Sequence, residues 1–256
     1  MRVQYKNCSL EFNHKIVYEL DEKVVSTNME FDRDNIWTDL TLRVTREVKI
    51  DELSPAITDI RFHIENIGSE SVFLKEFLLV DMPDSNMLQL GNENYLNYEF
   101  YRQGRHKNDL PGVCCIGNFD ERFEDACGGM LESGSGVDNQ DSGHKLVSDQ
   151  MTIIRSSEGE NVLLGYLTGC DQFFETTLEL TEDGKWENLS SKTTFNIYLL
   201  PEKKITTELL RIDLSTDIYR KIERFAMYKA EKYHARKANI LHLVLLWIDC
   251  YLSGCD

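Results

Sequence analysis

Apolar and polar positions alternate along much of this chain. In "LTLRVTREVKI" (40–50), Leu40, Leu42, Val44, Val48 and Ile50 share one parity, and Thr41, Arg43, Thr45, Glu47 and Lys49 share the other. Period two over this length predicts a strand with one wet face. "DIRFHIENIGSESVFLKEFLLVD" repeats the signal: Ile60, Phe62 and Ile64 alternate with Arg61, His63 and Glu65, a Gly68-Ser69-Glu70-Ser71 turn follows, and then a second apolar run. "MTIIRSSEGENVLLGYLTG" predicts a hairpin around Ser156–Gly159. "TTLELTEDGKWENLS" predicts another around Asp183-Gly184, a pair that accepts the positive φ angles of a tight primed turn. "TTFNIYLLP" predicts a last strand closed by Pro201. Many short strands with turn chemistry between them predict a mainly β chain, a large antiparallel β-sandwich.

Three stretches break the pattern. Residues 125–145, "DACGGMLESGSGVDNQDSGHK", are rich in Gly, Ser and Asp and predict a long exposed loop. Gly134-Ser135-Gly136 within it neither follows a strand nor opens a helix, so it is no phosphate-binding fingerprint. "STDIYRKIERFAMYKAEKYHARK" predicts one amphipathic helix, with Ser215 or Thr216 as cap and Asp217 in the first turn. Ile218, Ile222, Phe225 and Ala226 form its apolar stripe, and Lys232, His234, Arg236 and Lys237 suit its C-terminal end. The third stretch is the run Ile240 to Ile248, broken only by His242 and shorter than the about 20 apolar residues that span a bilayer. The expected organisation is a sandwich over 1–213, a linking helix over 214–238 and a separate terminal piece over 239–256.

Charge narrows the partners. With 44 acidic and 28 basic residues the formal charge is −16, which repels phosphate backbones and argues against nucleic acid. The seven cysteines are odd in number and scattered, with no C-x-x-C pair, and the first residues carry no apolar signal region. These features predict free thiols, a cytoplasmic setting, no zinc site and no membrane span. Adjacent Cys114 and Cys115 read as one buried and one exposed thiol.

Candidate chemistry is sparse. No metalloprotease helix, nucleophile elbow or P-loop occurs, and the six histidines are isolated along the chain. Carboxylates are too numerous for spacing to single out a catalytic pair of the kind glycoside hydrolysis needs. The most distinctive polar stretch is "GNENYLNYEFYRQGRHKNDLPGV" (91–113), where Tyr95, Tyr98, Phe100 and Tyr101 are interleaved with Asn92, Asn94, Asn97, Gln103 and Asn108. Aromatic faces with amide and guanidinium donors suit sugars, whose C–H faces stack and whose hydroxyls need fixed partners. The other reading is a strand edge whose tyrosines are half-buried against the sandwich.

Several stretches together resemble the N-terminal domain of microbial α-galactosidases of glycoside hydrolase family 36: "YRQGRHKND" (101–109), "SDQMTII" (148–154), "VLLGYLTGCDQFFETTLEL" (162–180), similar to a strand pair of that family, and "ITTELLRIDLSTDIYRKIERFAMYKAEKYHARK" (205–237), similar to its domain-linking helix. The resemblance covers roughly residues 95–239 and implies a supersandwich of the galactose-mutarotase-like kind. In that family the end of this helix leads into the first strand of a (β/α)₈ barrel that carries both catalytic aspartates. Here Ala235–Ile240 is followed by "LHLVLLWIDCYLSGCD". The expectation is a chain truncated before the barrel, with no catalytic residue, no metal and no cofactor of its own.

The resemblance implies a substrate-binding set of Tyr101, Arg102, Gln103, Arg105, His106, Lys107 and Asn108 and a galactoside or other carbohydrate as partner. Where the family carries a tryptophan after the glycine, this chain has Arg105, His106, Lys107 and Asn108. A surface that covers a barrel in the relative, together with the apolar Leu241–Trp247, implies self-association. Two other readings stay open: a stand-alone carbohydrate-binding module, and an aldose-epimerase-like enzyme, which needs a paired histidine and glutamate.

Overall fold

The computed structural model describes residues 1–103, 112–118, 144–169 and 172–235. Nine strands form an antiparallel sheet in the order β11 (Gly112–Cys115), β10 (Glu99–Arg102), β13 (Met151–Arg155), β14 (Asn161–Tyr166), β18 (Leu210–Asp213), β7 (Ile57–Asn66), β6 (Leu42–Ile50) and β5 (Ile36–Thr38), with β17 (Lys204–Thr206) also on β7. Six strands form a second sheet: β12 (His144–Ser148), β15 (Phe173–Leu180), β16 (Trp186–Leu199), β8 (Val72–Met82), β3 (Asn13–Leu20) and β4 (Lys23–Asn28). A small sheet of β1 (Arg2–Tyr5), β2 (Cys8–Glu11) and β9 (Leu88–Leu90) completes the set.

The two large sheets pack face to face, each contributing one parity of its strands to a shared core. Phe62 of β7 and Phe77 of β8 meet across the interface with ring centroids 4.5 Å apart, and both are fully buried. Each such side chain contributes roughly 1.5–3 kcal/mol through removal from water. The period-two reading of β6 holds for Leu42 and Val44, which are buried, but Leu40 is 97% exposed and Ile50 59% exposed. Arg46 occupies the inward parity between them, where it reaches His14 and lies 4.6 Å from the Phe31 ring centroid.

The hairpin of β13 and β14 turns at Ser156–Gly159 as the sequence predicts, with the Ser156 N–H donating to Glu160 O. At Asp183-Gly184 only the glycine takes a positive φ, +74°, so this connection is not a primed turn. β14 and β15 do not pair with each other: they belong to opposite sheets. The strand ending before Pro201 is not the last either, because β17 and β18 follow and share one edge of β7. Cys114 is buried and Cys115 is partly exposed.

The helix α1 (Ile218–Lys232) starts one residue after Asp217, whose carboxylate accepts the Arg220 N–H at 3.1 Å, so Asp217 and not Ser215 or Thr216 is its cap. The helix lies on the outer face of the nine-stranded sheet. Phe225, Ile218, Ile222 and Tyr228 pack against Met151, Ile153, Leu163 and Leu167. Gly165 makes this approach possible: a Cβ there would stand 2.7 Å from a Phe225 ring carbon. Ala226 faces solvent instead, and Lys221 takes an inward position. The Lys221 ammonium donates to Asn161 O at 2.9 Å and to Asn161 Oδ1, and burial pulls its pKa down to about 8. Among the described residues no helix is long and apolar enough to cross a membrane.

Tyr166 crosses the core from β14, stacked on Phe174 with centroids 4.5 Å apart. Its hydroxyl approaches Thr193 of β16 without reaching hydrogen-bond geometry, and both oxygens are buried without a partner. Burial therefore pushes the phenol well above its usual range. An unpaired hydroxyl is a cost that its removal relieves. Tyr166→Phe is expected to be neutral or to stabilise by up to about 1 kcal/mol in urea unfolding; a loss larger than that would show that the hydroxyl is in fact satisfied.

Candidate functional site

The stretch 91–103 runs from β9 through a 3-10 turn at Tyr95–Asn97 into β10. Asn94 caps that turn, its Oδ1 accepting the Leu96 N–H at 3.0 Å. Three of the aromatic residues of this stretch go to the main core or its margin and the fourth, Tyr101, to the helix-facing cluster. Tyr95 meets the edge of Trp186 at 5.6 Å and its hydroxyl accepts the Trp186 backbone N–H at 3.2 Å. Tyr98 is 1% exposed and its hydroxyl accepts the Leu90 N–H at 2.9 Å. Phe100 is in the main core, and Tyr101 packs into the helix-facing cluster. Alternation along β10 explains the split: Phe100 and Arg102 point between the sheets, Glu99 and Tyr101 away from them. These four rings do not share one surface, while Asn92, Asn94 and Asn97 are exposed beside them.

Arg102 and Gln103 sit where the two sheets meet. Arg102 is 2% exposed and its Nε donates to Val147 O on β12 at 2.9 Å. The Gln103 N–H donates to Ser148 Oγ at 2.8 Å, and Ser148 Oγ donates in turn to Met151 O at 2.6 Å. Asp149 N–H returns to Gln103 O at 3.3 Å, and Thr152 Oγ1 donates to Tyr101 O at 2.7 Å. The Ser148-Asp149-Gln150 turn thus clamps the end of β10. The Gln103 Oε1 is buried with no hydrogen-bond partner. A fixed backbone with an unused amide acceptor is the arrangement that can receive a hydroxyl from a ligand. Arg105, His106, Lys107 and Asn108 lie outside the described residues.

Ser148 and Thr152 were not singled out by pattern. In the sequence they appear only within the stretch "SDQMTII" (148–154), which opens on a short polar turn and runs into a strand. Among the described histidines, His63 is not isolated: its Nε2 lies 3.2 Å from Glu47 Oε2 and its Nδ1 2.9 Å from Thr206 Oγ1. That pair is solvent-exposed, 40% and 46%, and Glu47 is shared with Arg61 at 2.6 Å. The Arg61 hydrogen bond, more than His63, holds the Glu47 carboxyl below its ordinary range. The cluster is a surface ion network on β6 and β7 rather than an enclosed acid–base pair. No group of three His, Cys, Asp or Glu side chains among the described residues is placed to hold a metal ion.

No protein-family model matches the chain, and no curated protein does. Solved structures align with it over most of its length. One is a polysaccharide lyase, 7% identical over 85% of this chain and 27% of that one, with a TM-score of 0.39. Another is a putative aldose 1-epimerase from Klebsiella pneumoniae subsp. pneumoniae, 8% identical over 84% of this chain and 55% of that one, with a TM-score of 0.38. An α-galactosidase from Lactobacillus brevis is 8% identical over 86% of this chain and 28% of that one, with a TM-score of 0.32. The chain therefore spans about a quarter to about half of the length of these proteins. Likeness at this level carries no inference about chemistry.

Proposed function

We propose that this chain is a noncatalytic carbohydrate-binding β-sandwich, of the kind found as the N-terminal domain of α-galactosidase-like glycosidases. In this reading the end of β10 and the segment after it form the sugar site: Tyr101 and Arg102 brace the strand, Gln103 offers its amide, and Arg105, His106, Lys107 and Asn108 supply further donors. The observation that carries it is the clamped strand end with its unpartnered Gln103 Oε1. The similarity of 101–109 and 205–237 to that glycosidase family supports the same reading.

The test is calorimetric titration of the whole chain with galactose, melibiose and, for comparison, glucose. Expected is a Kd for the galactosides on the order of 1 mM, about −4 kcal/mol, weakened about tenfold or more in Gln103→Leu and in an Arg105→Ala/Lys107→Ala variant. No heat with either galactoside at tenfold higher concentrations would refute the assignment. Binding by this chain alone is what the stand-alone module reading requires.

A further inference from the structure

β4 ends the six-stranded sheet. It pairs with β3, and no described strand lies on its other side. Asp21 and Glu22 form the two-residue turn between β3 and β4, with φ of +50° and +63°. Register then fixes which backbone groups face the open edge. The Met29 N–H donates to His14 O at 2.9 Å, and antiparallel pairs alternate between bonded and unbonded. In this phase Ile16–Thr27, Tyr18–Val25 and Leu20–Lys23 are the bonded pairs. Val24, Ser26 and Asn28 belong to the other phase, so their N–H and C=O groups point away from β3. All three residues are exposed.

Sheet edges are ordinarily blunted by charge, proline, a bulge or shortness. β4 has none of these along 24–28. Its register with β3 is unbroken, it contains no proline, and its one charge, Lys23, stands at its start. The other edges are short or engaged. β5 has three residues, and Asp32 takes both backbone groups of Ile36: its N–H donates to Ile36 O at 3.1 Å and its carboxylate accepts the Ile36 N–H at 2.9 Å. On β12 the Val147 carbonyl accepts from Arg102, and β11 has four residues. The outward row Tyr198, Phe73, Glu19 and Val24 also brings apolar surface to the β4 edge. The Tyr198 and Phe73 ring centroids are 4.9 Å apart, and Val24 is 58% exposed.

We propose that β4 is a docking edge for a second copy of this chain, paired antiparallel about a two-fold axis through Ser26. The open groups at 24, 26 and 28 are symmetric about Ser26, so one register uses them all. Ser26 exchanges two hydrogen bonds with the partner's Ser26, and at each end Val24 and Asn28 of opposite copies exchange two more, six in all. Asn28 O already accepts from Thr27 Oγ1 at 3.4 Å and keeps a second lone pair. Moving the axis by one residue leaves four bonds within the strand. Side chains of one parity meet: Val24 lies beside the partner's Asn28, Val25 beside the partner's Thr27, and the small Ser26 at the axis. Charge opposes the contact. Glu22 falls opposite the partner's Glu30 just past the paired stretch, and each copy carries −16. Salt therefore strengthens this association, whereas it weakens one driven by charge. β4 belongs to the other sheet from α1 and the end of β10, so the proposal does not rest on the carbohydrate site.

The experiment is sedimentation velocity of the full chain over rising concentration, at low and at moderate salt, with amide hydrogen exchange on the same samples. Expected is a monomer–dimer equilibrium that salt shifts toward dimer. The Val24, Ser26 and Asn28 amides should gain protection as dimer forms, while the Val25 and Thr27 amides, bonded to β3, are protected throughout. Ser26→Lys sets two ammonium groups together at the axis, and Ser26→Pro removes the N–H there without removing a bond to β3. Each should weaken the dimer about tenfold or more. Met227→Lys on the exposed side of α1 should leave it unchanged. Ser26→Lys is a surface substitution that keeps the fold, and unaltered urea unfolding confirms this. The proposal is overturned if the chain stays monomeric up to about 1 mM, or if the dimer survives both Ser26 variants. Association abolished by Met227→Lys and not by Ser26→Lys would place the contact on the helix instead and overturn it as well.

Discussion

Replacing His14 by Phe should remove most of the pH dependence of stability between pH 7 and 5, where the parent chain is expected to lose about 2 kcal/mol. His14 is 2% exposed on β3, boxed by Phe12, Phe31 and Phe62 with ring centroids 5.4, 5.5 and 4.8 Å away. Its Nδ1 lies 2.7 Å from Leu79 O, a pure acceptor, so Nδ1 carries the proton. Nε2 then presents its lone pair to Arg46 Nη1 at 3.3 Å. Protonating Nε2 would set two cations against each other in an apolar box. Burial, reinforced by Arg46, lowers the pKa to about 3, even though the Leu79 carbonyl pulls the other way.

The direction of the effect follows from which state binds the proton. Below pH 6.5 the unfolded imidazole takes one up and the folded one does not until about pH 3. Stability is therefore intact above 6.5, falls as pH drops through that window, and levels off below about 3. At about 1.4 kcal/mol per pH unit the loss is about 2 kcal/mol at pH 5, with a ceiling between about 4 and 5 kcal/mol. Carboxylates such as Glu47, held low by Arg61, give up their stabilisation only as pH falls below about 4.5, below this window. Burial also pushes the Met1 ammonium below its usual range, so the comparison with His14→Phe, rather than the window itself, assigns the slope to the histidine. The measurement is the urea midpoint at pH 7 and 5 for both chains. His14→Phe also strands the Leu79 carbonyl and should lower stability at pH 7 by about 1–3 kcal/mol. The difference between the two pH values is the diagnostic, and an unchanged slope in the variant would disprove the account.

The second large effect concerns Asp59 and Arg211. They stand opposite each other on β7 and β18, joined by two parallel bonds of 2.8 Å, Nε to Oδ1 and Nη2 to Oδ2. Their side chains are 12% and 10% exposed, and the guanidinium also lies 5.3 Å from the Tyr228 ring centroid on α1. Burial lowers the Arg211 pKa, but the Asp59 hydrogen bonds and charge outweigh it and the net shift is upward. Asp59→Asn keeps the shape and leaves the guanidinium buried without its countercharge. Such single deletions cost about 3–5 kcal/mol, less here to the extent that water screens the exposed tenth. Asp59→Leu/Arg211→Met, which removes both charges, should recover most of that loss. Equal losses in the single and double variants, read from urea unfolding, would mean that packing rather than charge accounts for it.

Local pattern was sufficient wherever a strand is wet on one face or a helix carries one apolar stripe. β6 and β7 alternate because one parity of each meets the core. The Ser156–Gly159 turn and the helix after Asp217 are local chemistry as well. β14 and β18 escape such a reading because they are buried at every position, and a strand covered on both faces has no alternation to show. For the candidate sites, Tyr101, Arg102 and Gln103 stood out as residue types. Which of them is spent on packing and which keeps a free polar atom depends on β12 and β13, some 45 residues further along.

By itself, then, the sequence determined the mainly β class, the alternating faces, the capped helix and the acidic surface, because each of these depends on neighbours within a few positions. Only the tertiary structure decided that His14 and Lys221 are interior, that Arg46 rather than an apolar side chain backs His14, and that β4 lies at the edge of its sheet. Those outcomes depend on strand pairing between residues far apart in the chain. Pairing register is set by the joint burial of whole strand faces, which no local window of residues contains.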